Sequence, residues 1–352
     1  MHTGMNNSGN QRFVLHSRYY FSRLSKENQS LYRAIYDGWA RGASKVDLII
    51  PGSGFDAYRG LSLHNLVEYI IMDNPHLFHL ETSQFNYSRL GVKVTISAEP
   101  VYSPDEYSEI YQKLILCTNR IRAVPAFSGN FLRKISYIHD FLASEISYDK
   151  GLPSARSQRE IHTIVGALLN KACVCDGYAR AMRLLCDLSQ ISCIVVTGIG
   201  KTETGGERHA WNIVKNNGTK YQIDTTWDSN LADNDCVSRL FFLRDDLMFA
   251  RDHVWDRNFY PSCSSDYPRK EPVVANQRDL DLLIREKLEK RHNRISFYGK
   301  DLQWSQDEFG AHLKESINKA IAGVSIEISY SYSKHVLQPY YHIYMQYKEN
   351  IL

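Results

Sequence analysis

Residues 171–190, KACVCDGYARAMRLLCDLSQ, carry an apolar pattern too broad for a surface helix. At helical spacing Tyr178, Ala181, Met182, Leu185 and Cys186 form one stripe, and Leu184 and Leu188 widen it past a single face. A helix apolar on most sides has to be enclosed, so the rest of the chain must be built around this one. Asp176 and Gly177 suit its first turn. That puts Cys175 at the N-terminus, where unpaired backbone N–H groups and the helix dipole favour a thiolate. The position suits a packed thiol equally well, because cysteine is among the most buried residue types. Partners elsewhere in the chain must decide between the two.

The 352 residues, 43% hydrophobic and 23% charged, leave room for two or three globular domains and a sizeable core. Basic residues number 42 against 39 acidic ones, a formal net charge of +3 with the signs interspersed. No broad surface for nucleic acid or an anionic membrane follows from that balance, and small or peptide-like partners fit it better. The stretch MHTGMNNSGNQRFVLHSR has no apolar h-region, and no uncharged apolar run is long enough to span a bilayer. Seven cysteines, an odd number beside abundant core formers, argue for free thiols in a reducing compartment; the expected location is the cytoplasm.

After a polar tail to about residue 20, Ser25 can cap a helix with Leu31, Ala34, Ile35, Gly38 and Trp39 on one face. A strand over 45–50, a helix with Leu63, Leu66, Val67, Ile70 and Ile71, and strands over 77–87 and 92–98 follow. The far end repeats that order: strand 295–298, a helix with Phe309, Leu313, Ile317 and Ala320, then strands 324–330 and 341–347. Both ends therefore read β-α-β-β. Between them lie helical segments at about 104–123 and 129–147, a polar stretch at 153–160, the enclosed helix, and a continuous apolar strand over 193–199. Residues 200–208, GKTETGGER, read as a polar, glycine-rich loop. The domains expected are 1–102, 103–262 and 263–352.

HAWNIVK (209–215) and TKYQID (219–224) flank Asn216-Asn217-Gly218, a hairpin signal because Asn-Gly tolerates the positive φ of a type I′ turn. With Asn217-Gly218 as a two-residue loop, Lys215 faces Lys220, Ile213 faces Gln222 and Trp211 faces Asp224. His209 is then the diagonal neighbour of Asp224 on the same face, roughly 7–8 Å away between backbones and within side-chain reach. A cysteine opening a buried helix, together with a paired histidine and carboxylate, suits nucleophilic acyl transfer: thiolate attacks, imidazole moves the proton, carboxylate orients the ring. Zinc is a competing use of Cys173, Cys175, His209 and Asp224, yet neither C-x₂₋₄-C spacing nor a second cysteine pair supports it, so no metal and no cofactor is expected.

Three blocks resemble the transglutaminase-like superfamily of papain-fold cysteine enzymes, in its bacterial branch with flanking domains. They are HTIVGAL (162–168) leading to VCDGYA (174–179), HAWN (209–212), and YQID (221–224) with TWD (226–228). The similarity covers about 130–262, and weaker likeness in DNPHLF (73–78) extends it to the N-terminal module. Ala172-Cys173 stands where this branch commonly has a Lys-Gly or Gly-Gly type turn before the Val-Cys. The resemblance implies an α+β papain-like transglutaminase core, a central helix on an antiparallel sheet, between the two β-α-β-β modules. It assigns Cys175, not Cys173, as nucleophile, with His209 and Asp224 as partners. Tyr148 and His162 are candidates for oxyanion or substrate contacts, and Trp211 and Trp227 for walls of the acyl pocket. His253 lines the cleft or pins the segment that carries it. The function implied is acyl transfer from a peptide or protein amide, ending in hydrolysis or in transfer to an amine acceptor. The alternative is a catalytically silent binding or scaffold protein on the same fold.

Overall fold

The computed structural model describes residues 13, 18–50, 62–149, 155–202, 205–230, 237–267, 272–324, 326–335 and 338–348. Cys236, the Lys150-Gly151 turn and most of the N-terminal tail lie outside them. The described residues fall into two compact units. The first lies within Met1–Gly200, Gly206–Phe249 and His253–Asp266, the second within Lys201–Gly205, Ala250–Asp252 and Tyr267–Leu352.

The first unit opens with α1 (Tyr19–Arg23), α2 (Lys26–Ala40), β1 (Lys45–Ile49), α3 (Leu63–Asp73), β2 (Leu80–Leu90) and β3 (Lys93–Pro100). Ser25 and Ser62 cap α2 and α3 by accepting from the backbone N–H of Asn28 and Asn65. The sheet order is β1-β3-β2, antiparallel throughout, with Val46 opposite Ile96 and Leu48 opposite Val94. Alternation buries one sheet face, where Leu48, Val94 and Ile96 meet Ile35, Trp39, Leu66 and Ile70. β2 starts three residues later than the hydrophobic run predicts. Leu77 and Phe78 instead lie buried in a turn whose Pro75 and Leu77 carbonyls accept from the Arg180 guanidinium at 3.3 and 3.2 Å.

The chain continues through α4 (Pro104–Arg122), closed by a Ser103/Glu106 capping box, a short turn at Pro125–Ser128, α5 (Phe131–Glu145), β4 (Ser147–Tyr148) and α6 (Ala155–Glu160). A π-helical turn at Gly166–Asn170 and β5 (Ala172–Cys173) lead into α7 (Cys175–Leu188), the enclosed helix. Every residue of α7 from Gly177 to Asp187 is buried, including Arg183 and Asp187, which pair at 3.0 Å. Beside it stand β6 (Ser192–Thr202), β7 (Gly205–Asn216), β8 (Thr219–Ile223), α8 (Thr225–Asn230), α9 (Asp246–Phe249) and β9 (His253–Val254), the sheet order being β8-β7-β6-β9. The expected loop over 200–208 is strand in all its described residues. Ladder pairing outweighs the poor strand propensity of its glycines, and Gly206 sits so close to Ile199 that a Cβ there would stand 2.6 Å from its Cγ2.

The second unit carries β10 (Val273–Val274), α10 (Gln277–Glu289), β11 (Arg294–Gly299), α11 (Gln306–Ile321), β12 (Glu327–Lys334) and β13 (Tyr340–Lys348), in sheet order β10-β11-β13-β12. Its core joins Leu280, Ile284, Phe297, Phe309, Leu313 and Tyr341. As in β1-α3-β2-β3, the last strand of β11-α11-β12-β13 lies antiparallel between the other two, so the two ends share a topology as well as an order.

Candidate active site

The turn between β7 and β8 has Asn217 at φ 47° and Gly218 at φ 91°, the left-handed pair of a type I′ turn. Lys215 lies opposite Lys220, Ile213 opposite Gln222 and Asn212 opposite Ile223. Asp224 follows the last pair, and its Oδ2 meets Nε2 of His209 at 2.6 Å, both residues buried. Asp224 also caps α8: its Oδ1 accepts from the Trp227 backbone N–H at 3.1 Å. A third donor is the buried His253 on β9, whose Nε2 lies 3.0 Å from the same Oδ2. Three donors fix the carboxylate before any substrate is present.

Burial alone would raise the Asp224 carboxyl, but His209 and then His253 outweigh it and hold it well below the usual carboxylate range. Burial likewise opposes the charged form of His209. The Asp224 carboxylate outweighs it, helped by the Cys175 thiol through a hydrogen bond and its charge, and the imidazole rises to about 9. With Nε2 committed to Asp224, Nδ1 is the nitrogen left for the thiol.

Cys175 is the first residue of α7, half-buried, and lines a cavity with His209. Cys173 is fully buried, and burial, with the nearby Cys175 second, drives its thiol far up. It packs against Gly177, where a Cβ would stand 2.5 Å from the Cys173 Cβ and 2.6 Å from the Ile161 carbonyl. Only glycine fits there. Cys186 and Cys193 are buried as expected of core thiols, and burial raises the thiols of Cys117 and Cys263.

Tyr148 pairs with Cys173 across the parallel β4–β5 ladder, and its hydroxyl is raised by burial first and by Cys175 second, which places it near the thiol. His162 lines the cavity but is engaged, its Nδ1 3.1 Å from Asp176 Oδ2. Trp211 is fully buried, stacks on His209 at 5.9 Å and donates to Gln222 at 2.8 Å, so it supports the ring rather than facing the cavity. Trp227, in α8, stands 5.3 Å from His209 and packs against Gly200, where a Cβ would lie 2.9 Å from the indole.

His253 is the site residue whose partner the sequence does not identify. It sits on a two-residue strand, too short for any periodicity, and only its pairing with Gly200 brings it to Asp224. Trp211, Trp227, Phe241 and Phe249 surround it at 4.3 to 5.6 Å between ring centroids. A second buried pair, His139 Nε2 to Asp228 Oδ2 at 3.0 Å, ties α5 to α8 behind the site. His209, Asp224 and His253 also each carry a ligand atom of the kind that holds a metal ion, within 4.8 Å of one another. However, both rings point Nε2 at one carboxylate oxygen, at 2.6 and 3.0 Å. Ligands of a tetrahedral ion bound at 2.0–2.1 Å stand roughly 3.3 Å apart. The separations are those of hydrogen bonds.

Residues 123–224 match the family model of the transglutaminase-like superfamily, a span that contains Cys175 and His209 and ends on Asp224. The chain is 26% identical over 139 residues to the mouse (Mus musculus) kyphoscoliosis peptidase and 27% identical over 139 residues to the human (Homo sapiens) one. Each alignment covers 36% of this chain, which spans 21% of the length of those relatives. Among solved structures, the crystal structure of a TGase is similar at a TM-score of 0.29 with 12% identity, over 66% of this chain and 57% of that one.

Proposed function

We propose that this chain, which carries a transglutaminase-like domain over residues 123–224, is a cysteine enzyme that transfers an acyl group from a peptide or protein amide through a thioester at Cys175. The observation that carries this reading is the His209–Asp224 pair, buried at 2.6 Å, with Cys175 acting on the same imidazole from the mouth of α7. The mouse and human relatives are likewise named as peptidases.

In this reading His209, its imidazole raised to about 9, moves the Cys175 proton as the sulfur attacks. The thiolate attacks the amide carbonyl. The tetrahedral oxyanion is received by the Cys175 backbone N–H and the Tyr148 hydroxyl. The C–N bond then breaks, the His209 proton goes to the departing amine, and a thioester remains. Water or a primary amine, deprotonated by His209, releases the acyl group and restores the thiol. Asp224 holds the ring throughout, and His253 acts as a positioning residue that fixes Asp224.

The test is to incubate the wild-type and Cys175→Ala chains with a peptide library, with and without a primary amine, and read products by mass. Hydrolysis appears as new termini, transamidation as the mass of the amine replacing ammonia. Products formed equally by Cys175→Ala would sink the mechanism, and no product with either chain, together with no thioester on activated amide probes, would favour the silent scaffold.

A further inference from the structure

Cys175 and His209 line a cavity of about 920 Å³ that is also lined by residues preceding the transglutaminase-like match. There α3 supplies Val67, Glu68 and Ile71, and β3 supplies Glu99. Of the charged lining residues, Glu68 and Glu99 come from the N-terminal module, while Arg159, Asp176, Arg180 and Arg208 come from later in the chain. Arg180 is buried and staples backbone, donating to the carbonyls of His162, Pro75 and Leu77 at 2.8, 3.3 and 3.2 Å. Asp176, beside the nucleophile, is engaged by His162.

Arg208, the residue before His209, reaches the N-terminal module, its Nη2 3.4 Å from Glu68 Oε1. The Glu68 side chain is 21% exposed and that of Arg208 80%. So long and open a pair contributes little stability. The carboxylate is its fixed half, and the guanidinium is free to exchange with another cation.

We propose that Glu68 is the specificity-determining residue of a subsite in this cavity that takes a lysine or arginine side chain of the polypeptide substrate. Arg208 fills that subsite until substrate displaces it. Glu68 receives the charged head of such a side chain, and Glu99 adds negative charge to the same wall. The term substrate rests on the acyl-transfer reading; binding does not.

The full-length Cys175→Ala chain is titrated by fluorescence anisotropy with short labelled peptide pools, free of other charged residues, in which one position is Lys, norleucine or Glu. The Lys pool is expected to bind about tenfold more tightly than the norleucine pool. Adding Glu68→Gln should erase that preference, Glu68→Arg should turn it toward the Glu pool, and Arg208→Ala should tighten the Lys pool. Equal affinity for Lys and norleucine, or a ratio untouched by Glu68→Gln, would overturn the proposal. So would displacement of the Lys pool by butylammonium at concentrations comparable with peptide, which would assign the cation site to a free amine instead. Selectivity kept by Cys175→Ala, together with a wild-type chain that forms no thioester with activated amide probes, would count against the acyl-transfer reading alone. Selectivity lost in an enzyme that turns over would count against the subsite alone.

Discussion

Asp224 concentrates the chemistry of the site, and its neighbours set how that chemistry responds to pH. His209 is raised from 6.5 to about 9, so the stability it contributes is fully present below pH 6.5 and is lost as pH rises through about 9. Asp224 is lowered from 3.8, so its contribution is present above that pH and is lost as pH falls through its folded value. The difference in Tm between wild type and Asp224→Asn should be widest between pH 3.8 and 6.5 and should narrow toward 9. Thermal melts across that range check this, and a constant difference would contradict it. Turnover should likewise fall above pH about 9, as His209 loses its proton. His253→Ala removes one of the two imidazoles on Asp224 Oδ2. It should lower kcat roughly tenfold, the rate equivalent of one hydrogen bond to a charged group, with KM unchanged. Because more of the carboxylate charge then acts on His209, the alkaline limb of the pH profile should move upward. A loss confined to expression or Tm would make His253 merely structural.

Among the elements, α7 and the β7–β8 hairpin were legible because local chemistry dictates both. An all-round apolar pattern has no stable place except inside, and Asn217-Gly218 fixes a register that side-chain alternation carries to Asp224. The start of β2 and the strand character of 200–208 were not legible. The first depends on a guanidinium reaching from α7 to the carbonyls of Pro75 and Leu77, the second on ladder partners. Gly177 is where α7 and the segment before it press hardest, since any Cβ meets Cys173 and the Ile161 carbonyl. Gly177→Ala should therefore destabilise by about 2–4 kcal/mol, well beyond the usual effect of a helical alanine, and urea unfolding of the full chain measures it. A neutral or stabilising result would mean that the 161–173 segment yields more easily than its buried backbone suggests.

At the scale of the molecule, two modules of one topology bracket in sequence the span that matches the transglutaminase-like family model, each with a core drawn from its own helices and sheet. A fragment of residues 267–352 should fold by itself, because Leu280, Ile284, Phe297, Phe309 and Tyr341 close a core over a four-stranded sheet. A dispersed amide NMR spectrum would show it, and a collapsed one would refute it. Among the described residues no helix is long and apolar enough to cross a membrane. The sequence by itself determined the enclosed helix opening on Cys175, the hairpin that aims His209 and Asp224 at one another, and the repeated strand and helix order at both ends. These are consequences of periodicity and turn chemistry, which act over a few residues. Only the tertiary structure decided that His253 shares Asp224 with His209 and that α3 walls the cavity beside Cys175. His253 and Asp224 are 29 positions apart, and Arg208 and Glu68 of α3 are 140 apart, where no local rule constrains one partner by the other.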